Sequence, residues 1–141
     1  MAQTSQVIII GAGPIGLACG LACLKQGLTF VILEKGALVN SIYNYPANMR
    51  FFSTSEKLEI GGIPFISKEP KPNRDEALEY YRRTAELLKN DLHLFEKVER
   101  VAKHDDGFQV VTQKAQYHSA HVIVATGFYD LPKLLEVRGE D

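Results

Sequence analysis

Cysteine is scarce in this chain, with two in 141 residues, at Cys19 and Cys23. Their C-x3-C spacing is neither the C-x-x-C of a redox pair nor part of a metal-ligand set with partners nearby, so neither chemistry is expected there. On a helix the two share a face, and with Ala18, Gly20 and Ala22 around them they read as small buried residues packing on a sheet. Long apolar runs are missing too. Val7–Ile10 is ended at once by Gly11. It is too short for the apolar core of a signal peptide and far too short to cross a bilayer, so a cytoplasmic protein is expected. Neither charge is in excess, with 16 basic against 17 acidic residues and a net charge of −1. Acids and bases are interspersed, so nothing electrostatic favours a nucleic acid or a membrane as partner. Repeats and low-complexity tracts are absent. What remains is a chain with 45% apolar residues, long enough for one core and little beyond one domain.

The order of apolar runs and breakers predicts alternating units. Gln6–Ile10 reads as a short buried strand, Pro14 to Gln26 as a helix with proline in its first turn and Gly27 as its stop, and Thr29–Leu33 as a second buried strand. Strand, turn, helix and strand in this compass form a βαβ unit with parallel strands. The stretch Gly36 to Pro72 lacks periodicity but carries Tyr43, Tyr45, Phe51, Phe52 and Phe65. Its length and aromatic content predict an ordered, site-forming segment. Asn73 and Glu76 form a capping-box pattern before a helix that repeats Leu78, Tyr81, Ala85 and Leu88, with Arg82 and Arg83 on a solvated face. Leu92–Phe95 reads as a third parallel strand. Val98–Lys103, Phe108–Thr112 and Ala115–His118 read as an antiparallel meander turning at Asp105-Asp106-Gly107, and His121–Ala125 as a further buried strand. The fold class is therefore α/β, Rossmann-like, with a parallel sheet, helices and a small antiparallel meander.

Chemistry enters at Gly11-Ala12-Gly13-Pro14-Ile15-Gly16, which fits G-x-G-x-x-G. The first glycine permits a tight turn, the second lets a diphosphate approach the backbone, and the third lets helix and strand pack closely. Free amides and the helix dipole at that end attract phosphates. Glu34 closes the second strand, where a carboxylate can accept hydrogen bonds from both hydroxyls of an adenosine ribose and would repel a 2′-phosphate. An ADP-containing dinucleotide, NAD or FAD, is expected in the crevice. The residues alone do not choose between them.

G-A-G-P-I-G at the start, E-K-G after the second strand and V-I-V-A-T-G after the meander resemble the FAD half of flavoprotein reductases with two dinucleotide-binding domains. The segments "NSIYNYPANMRFFSTSEKLEIGGIPF", "KPNRDEALEYYRR" and "ATGFYDLPKLLEVRGED" are similar to those of YpdA-type bacillithiol disulfide reductases, which are thioredoxin-reductase-like flavoproteins. The resemblance implies FAD as cofactor. Gly11, Gly13, Pro14, Ile15 and Gly16 would hold its pyrophosphate, Glu34 and Lys35 its ribose, and the Val98 backbone its adenine. Ser41, Tyr45, Asn48 and Phe52 would stand near the isoalloxazine, with Ala125, Thr126 and Gly127 passing beneath the cofactor. Members of that family often carry cysteine inside the glycine motif, where this chain has Ile15, and the C-x-x-C of thioredoxin reductases is absent. No residue is assigned as catalytic. His93, His104, His118 and His121 flank strands and turns and read as surface or packing residues.

The same resemblance implies that residues 1–141 are the N-terminal part of an FAD-binding domain, with the NADPH domain and a C-terminal FAD segment lying beyond. In the parent enzyme NADPH would reduce FAD, and electrons would pass to a small-molecule or protein disulfide. The chain alone is expected to be inactive. Two other readings stand beside this one: a flavin monooxygenase or NAD-dependent oxidoreductase, and a non-catalytic dinucleotide-binding module. A homodimer through apolar surface is a further expectation.

Overall fold

The computed structural model describes residues 3–104, 106–130 and 133–140. Strand β1 (Gln3–Ile10) runs into helix α1 (Pro14–Lys25), and β2 (Phe30–Leu33) returns parallel to β1. Two short helices follow, α2 (Asn40–Tyr43) and α3 (Ser55–Leu58), then α4 (Arg74–Ala85) with a 3-10 turn at Glu86–Leu88. The sheet is completed by β3 (Leu92–His93), β4 (Val98–His104), β5 (Gly107–Thr112) and β6 (Gln116–Val124), in the order β3-β2-β1-β6-β5-β4.

Alternation along β1 divides the core. Val7 and Ile9 face α1 and α4 in a cluster with Leu17, Ile32, Tyr80 and Leu88, and Ile8 joins Val31, Leu33, Val110 and Tyr117 on the other side. Each fully buried aliphatic side chain contributes about 1.5–3 kcal/mol. Cys23 packs in the first cluster and half-buried Cys19 lies against it. Burial, and then the neighbouring Cys19, pushes the Cys23 thiol up, which suits a packing residue.

Helix α4 begins as its sequence predicts. Glu76 N–H donates to Asn73 Oδ1 at 2.9 Å and Asn73 N–H donates to Glu76 Oε2 at 2.8 Å. Arg83 pairs with Glu79 one turn away at 3.1 Å on the exposed side. The buried side carries tyrosines that grip the irregular segment. Tyr80 Oη accepts Ile60 N–H and donates to Ile63 O, both at 2.8 Å, Tyr81 Oη donates to Leu58 O at 3.0 Å, and Phe65 stacks on Tyr80.

The third parallel strand, expected over Leu92–Phe95, stops at His93, and Phe95 beyond it is left-handed at φ 54°; the last strand differs more. Ala115–His118 and His121–Ala125 are not two strands. They form a single one, β6, which pairs antiparallel with β5 at Gln116–Ser119 and parallel with β1 from Tyr117 to Val124. The break expected at Ser119-Ala120 is absent, because β6 runs through it and stays paired with β1 on both sides. Beyond that point β6 is not the buried strand expected, and Val124 is 70% exposed. Asp105 of the predicted turn lies outside the described residues.

Candidate functional site

The parallel registers place three strand ends at one level. Ile10 stands opposite Leu33 on one side and Val124 on the other. The next residue of each strand, Gly11, Glu34 and Ala125, opens into a single cleft of about 460 Å³. Gly11 N–H donates to Leu33 O and Ala125 N–H to Ile10 O, each at 2.8 Å, so the three ends are locked together. A crevice at the carboxyl ends of parallel strands, between neighbours reached in opposite directions, is where such sheets bind ligands.

Two of the three glycines of the loop are required by the fold, each for a different reason. Gly11 has φ 109°, and a Cβ there would strike the Ala125 carbonyl. Gly16 has an ordinary backbone, but a Cβ would be driven into the carbonyl of Gly11. Gly13 is unlike both. Its φ is −74°, and a Cβ built on it meets nothing within 4 Å. Neither conformation nor packing inside the chain calls for glycine at 13, and that position lines the cleft.

Glu34 is 6% exposed, with its carboxylate held by main-chain donors: Ala12 N–H to Oε2 and Gly36 N–H to Oε1, each at 2.8 Å. Each oxygen keeps a second lone pair for a ligand hydroxyl. Lys35 reaches across the cleft to Asp130 at 2.6 Å, and Ser41 Oγ donates to the other Asp130 oxygen at 3.4 Å.

The wall facing the glycine loop comes from the irregular segment, which supplies Ser41, Ile42, Tyr45, Phe51 and Leu58. Arg74 fixes its near end by donating to Ile42 O at 3.2 Å and Tyr43 O at 2.5 Å. Tyr45 meets Tyr129 edge-on at 4.5 Å between ring centres, and burial, with Tyr129 beside it, pushes its phenol up. Val39, just before α2, has φ 45° and ψ 47°, a left-handed conformation that costs a β-branched residue about 1–3 kcal/mol.

Gly11, Gly13, Pro14, Ile15, Glu34, Lys35, Ser41, Tyr45, Val98, Ala125, Thr126 and Gly127 all line the cleft. Gly16 stands behind it as packing. Asn48 and Phe52 do not line it. Asn48 is exposed and Phe52 is 91% exposed, while the neighbouring Phe51 points inward. Sequence reasoning did not find Asn40, Leu58, Tyr81, Lys97 or Asp130. Only the periodicity that buried Tyr81 on α4 hinted at one of them.

Behind Glu34 sits a buried polar network. Glu96 Oε1 accepts from Tyr117 Oη at 2.7 Å and Thr112 Oγ1 at 2.8 Å, and Oε2 lies 3.4 Å from His93 Nδ1. Glu96 N–H donates to Glu34 O at 2.7 Å. Burial alone would raise the Glu96 carboxyl, but the two hydroxyl donors, with His93 and Lys114, outweigh it and hold the group below the usual carboxylate range. His93 Nδ1 also lies 3.0 Å from Tyr117 Oη, which closes the network.

The strand order, glycine loop and buried acid after β2 define a Rossmann-like dinucleotide-binding fold with an antiparallel meander. Residues 8–141 match the family model described as pyridine nucleotide-disulphide oxidoreductase, and the chain belongs to that family. It is 44% identical over 137 residues to bacilliredoxin reductase Bdr of Bacillus subtilis, covering 96% of this chain and 42% of that protein. The solved bacillithiol disulfide reductase Bdr (YpdA) from Bacillus cereus is similar at 45% identity with a TM-score of 0.91, over 99% of this chain and 44% of that one. A flavin-containing monooxygenase from Stenotrophomonas maltophilia is similar at 29% identity and a TM-score of 0.81, over 89% of this chain and 39% of that one. The chain thus spans less than half the length of these relatives. No described helix is long and apolar enough to cross a membrane, and the described residues contain no group of three or more acids, histidines or cysteines that could hold a metal.

Proposed function

We propose that this chain is the N-terminal, FAD-binding part of an NADPH-dependent flavoprotein that reduces a disulfide. Gly13 carries the reading. It is a glycine that the fold does not need, set in the cleft at a helix N-terminus where a diphosphate would need the backbone bare. Gly11, Pro14, Ile15 and Gly16 shape that loop, Glu34 accepts from the ribose hydroxyls with Lys35 beside it, and the Val98 main chain borders the adenine. Ser41, Tyr45 and Phe51 form the wall toward the isoalloxazine, and Ala125, Thr126 and Gly127 form the floor.

Bound FAD would supply two-electron transfer between NADPH and a disulfide. The chain's own residues bind, orient and exclude water. The apolar wall of Ile42, Phe51 and Leu58 lowers the local dielectric, and the glycine loop offers its amides without rearrangement. A small-molecule disulfide is the favoured acceptor because a relative at 45% identity is a bacillithiol disulfide reductase. The monooxygenase reading rests on a relative at 29% identity. Its balanced charge favours neither a membrane nor a nucleic acid as partner. Exposed Ile15, Val124 and Phe128 supply the apolar surface for a homodimer or for the rest of the enzyme.

The purified chain should take up FAD, with a yellow flavin spectrum and quenched fluorescence. Gly13→Ala should melt at the same temperature and lose that uptake. A colourless protein that binds NAD but no FAD would refute the flavin reading. In the full-length enzyme, NADPH consumption driven by a low-molecular-weight disulfide, and not by an oxygenation substrate, separates the two enzyme classes.

A further inference from the structure

Ala12, the middle residue of Gly11-Ala12-Gly13, is held from two sides. Its N–H donates to Glu34 Oε2 at 2.8 Å, and its carbonyl accepts the N–H of Val39 at 3.1 Å. Val39 is an unexpected residue for that task, because its left-handed backbone crowds a β-branched side chain. It is 2% exposed and packs in the same core cluster as Ala12 and Leu17, which holds the conformation in place. Its own carbonyl accepts Tyr43 N–H at 3.0 Å. One strained residue therefore ties the glycine loop to the helix that sends Ser41 and Ile42 into the cleft.

Peptide geometry turns this contact into a direction. The described residues contain no cis peptide, so the Ala12 carbonyl and the Gly13 N–H lie on opposite edges of one plane. With the carbonyl directed at buried Val39, the Gly13 N–H points away from the core, and Gly13 lines the cleft. That N–H meets no acceptor among the described residues. Ala12 N–H is taken by Glu34 and Pro14 has none, which leaves Gly13 as the free donor ahead of the helix.

We propose that Val39 is a positioning residue for the cofactor: its left-handed main chain fixes the Ala12–Gly13 peptide so that the Gly13 N–H is preset toward the diphosphate. This deepens the reading of the cleft as an FAD site and rests on it. A donor oriented before binding loses less freedom when the ligand arrives, so affinity depends on the restraint. A strained backbone that its surroundings over-determine is suited to supply it.

The test replaces Val39 by its α-hydroxy acid, 2-hydroxy-3-methylbutanoate, which exchanges the N–H for an ester oxygen and keeps the side chain. FAD affinity is measured by fluorescence titration, and the Gly13 amide is followed by 1H–15N spectroscopy on addition of ADP. The expected result is an FAD Kd raised about tenfold, with a smaller ADP-induced shift at Gly13. An ester at Ile63, whose N–H donates to Ile60 O at 3.1 Å and which does not line the cleft, leaves both unchanged. In the unsubstituted chain the Val39 amide is already protected from exchange before ligand is added. Unchanged FAD affinity in the Val39 ester overturns the proposal. So does a freely exchanging Val39 amide, or a Gly13 amide that ADP binding leaves unmoved. The last two are read on the unsubstituted chain and decide the matter if the ester fails to fold. An unsubstituted chain that binds neither FAD nor ADP removes the cofactor reading itself, and the proposal with it.

Discussion

The carboxylate of Glu34 holds the main-chain N–H of Ala12 at 2.8 Å, so the acid after β2 braces the glycine loop as well as facing the cleft. Removing it strands two amides, those of Ala12 and Gly36. Glu34→Ala should therefore cost about 2 kcal/mol of stability in addition to weakening FAD binding. Glu34→Gln keeps one acceptor and should recover part of the stability. Denaturant melts of the two variants check the order. Equal stability of Glu34→Ala and the parent would show that the brace is idle.

Gly13 and Gly16 should separate cleanly on substitution by alanine. At 16 the new methyl group collides with the Gly11 carbonyl, a main-chain atom locked between strands, and the variant should lose about 3 kcal/mol, or roughly 10 °C of melting temperature. At 13 the methyl group enters open space. Stability should stay within about 0.5 kcal/mol, since alanine tolerates the observed backbone. Calorimetry on both proteins without ligand tests the contrast.

These two glycines also show what a sequence can reveal. G-x-G-x-x-G, the βαβ unit and the Asn73–Glu76 cap are local patterns whose causes lie within a few residues, and each is legible. The single strand β6 is not, because it pairs with β1 along its length and with β5 over its first half only, and neither pairing is written in its own residues. That Phe51 and not Phe52 lines the cleft is illegible for a related reason. A segment without periodicity carries no signal for which of two adjacent rings turns inward. The left-handed backbone of Val39 is equally silent, since a β-branched residue marks strands and not turns.

The capping box at α4 anchors the tyrosines that grip the cleft wall. Asn73→Ala removes the acceptor for Glu76 N–H and should destabilise the protein by about 1 kcal/mol. Asn73→Ser or Asn73→Asp should restore most of it. Thermal melts give the ranking, and an alanine variant as stable as the serine variant would show that the cap contributes nothing.

Glu96 should make stability depend on pH in the acid range. In the folded chain its carboxyl is held below its ordinary value of 4.5, despite burial, by hydrogen bonds from Tyr117 and Thr112 and by His93. Unfolding releases it to that ordinary value, so the unfolded chain binds the proton more readily. The stabilisation is therefore complete above the ordinary value and lost as pH falls through the lower, folded value. Glu96→Gln keeps a carbonyl for the two hydroxyls but does not titrate. It should be less stable than the parent by about 2 kcal/mol at pH 7, with the gap narrowing steadily from pH 5 toward pH 3. Urea melts of both proteins across that range measure the gap directly, and a gap that stays constant would mean that Glu96 is not held ionised by its neighbours. Tyr117→Phe, which deletes one of the donors, should bring the folded carboxyl closer to its ordinary value and so shrink the stability lost as pH falls.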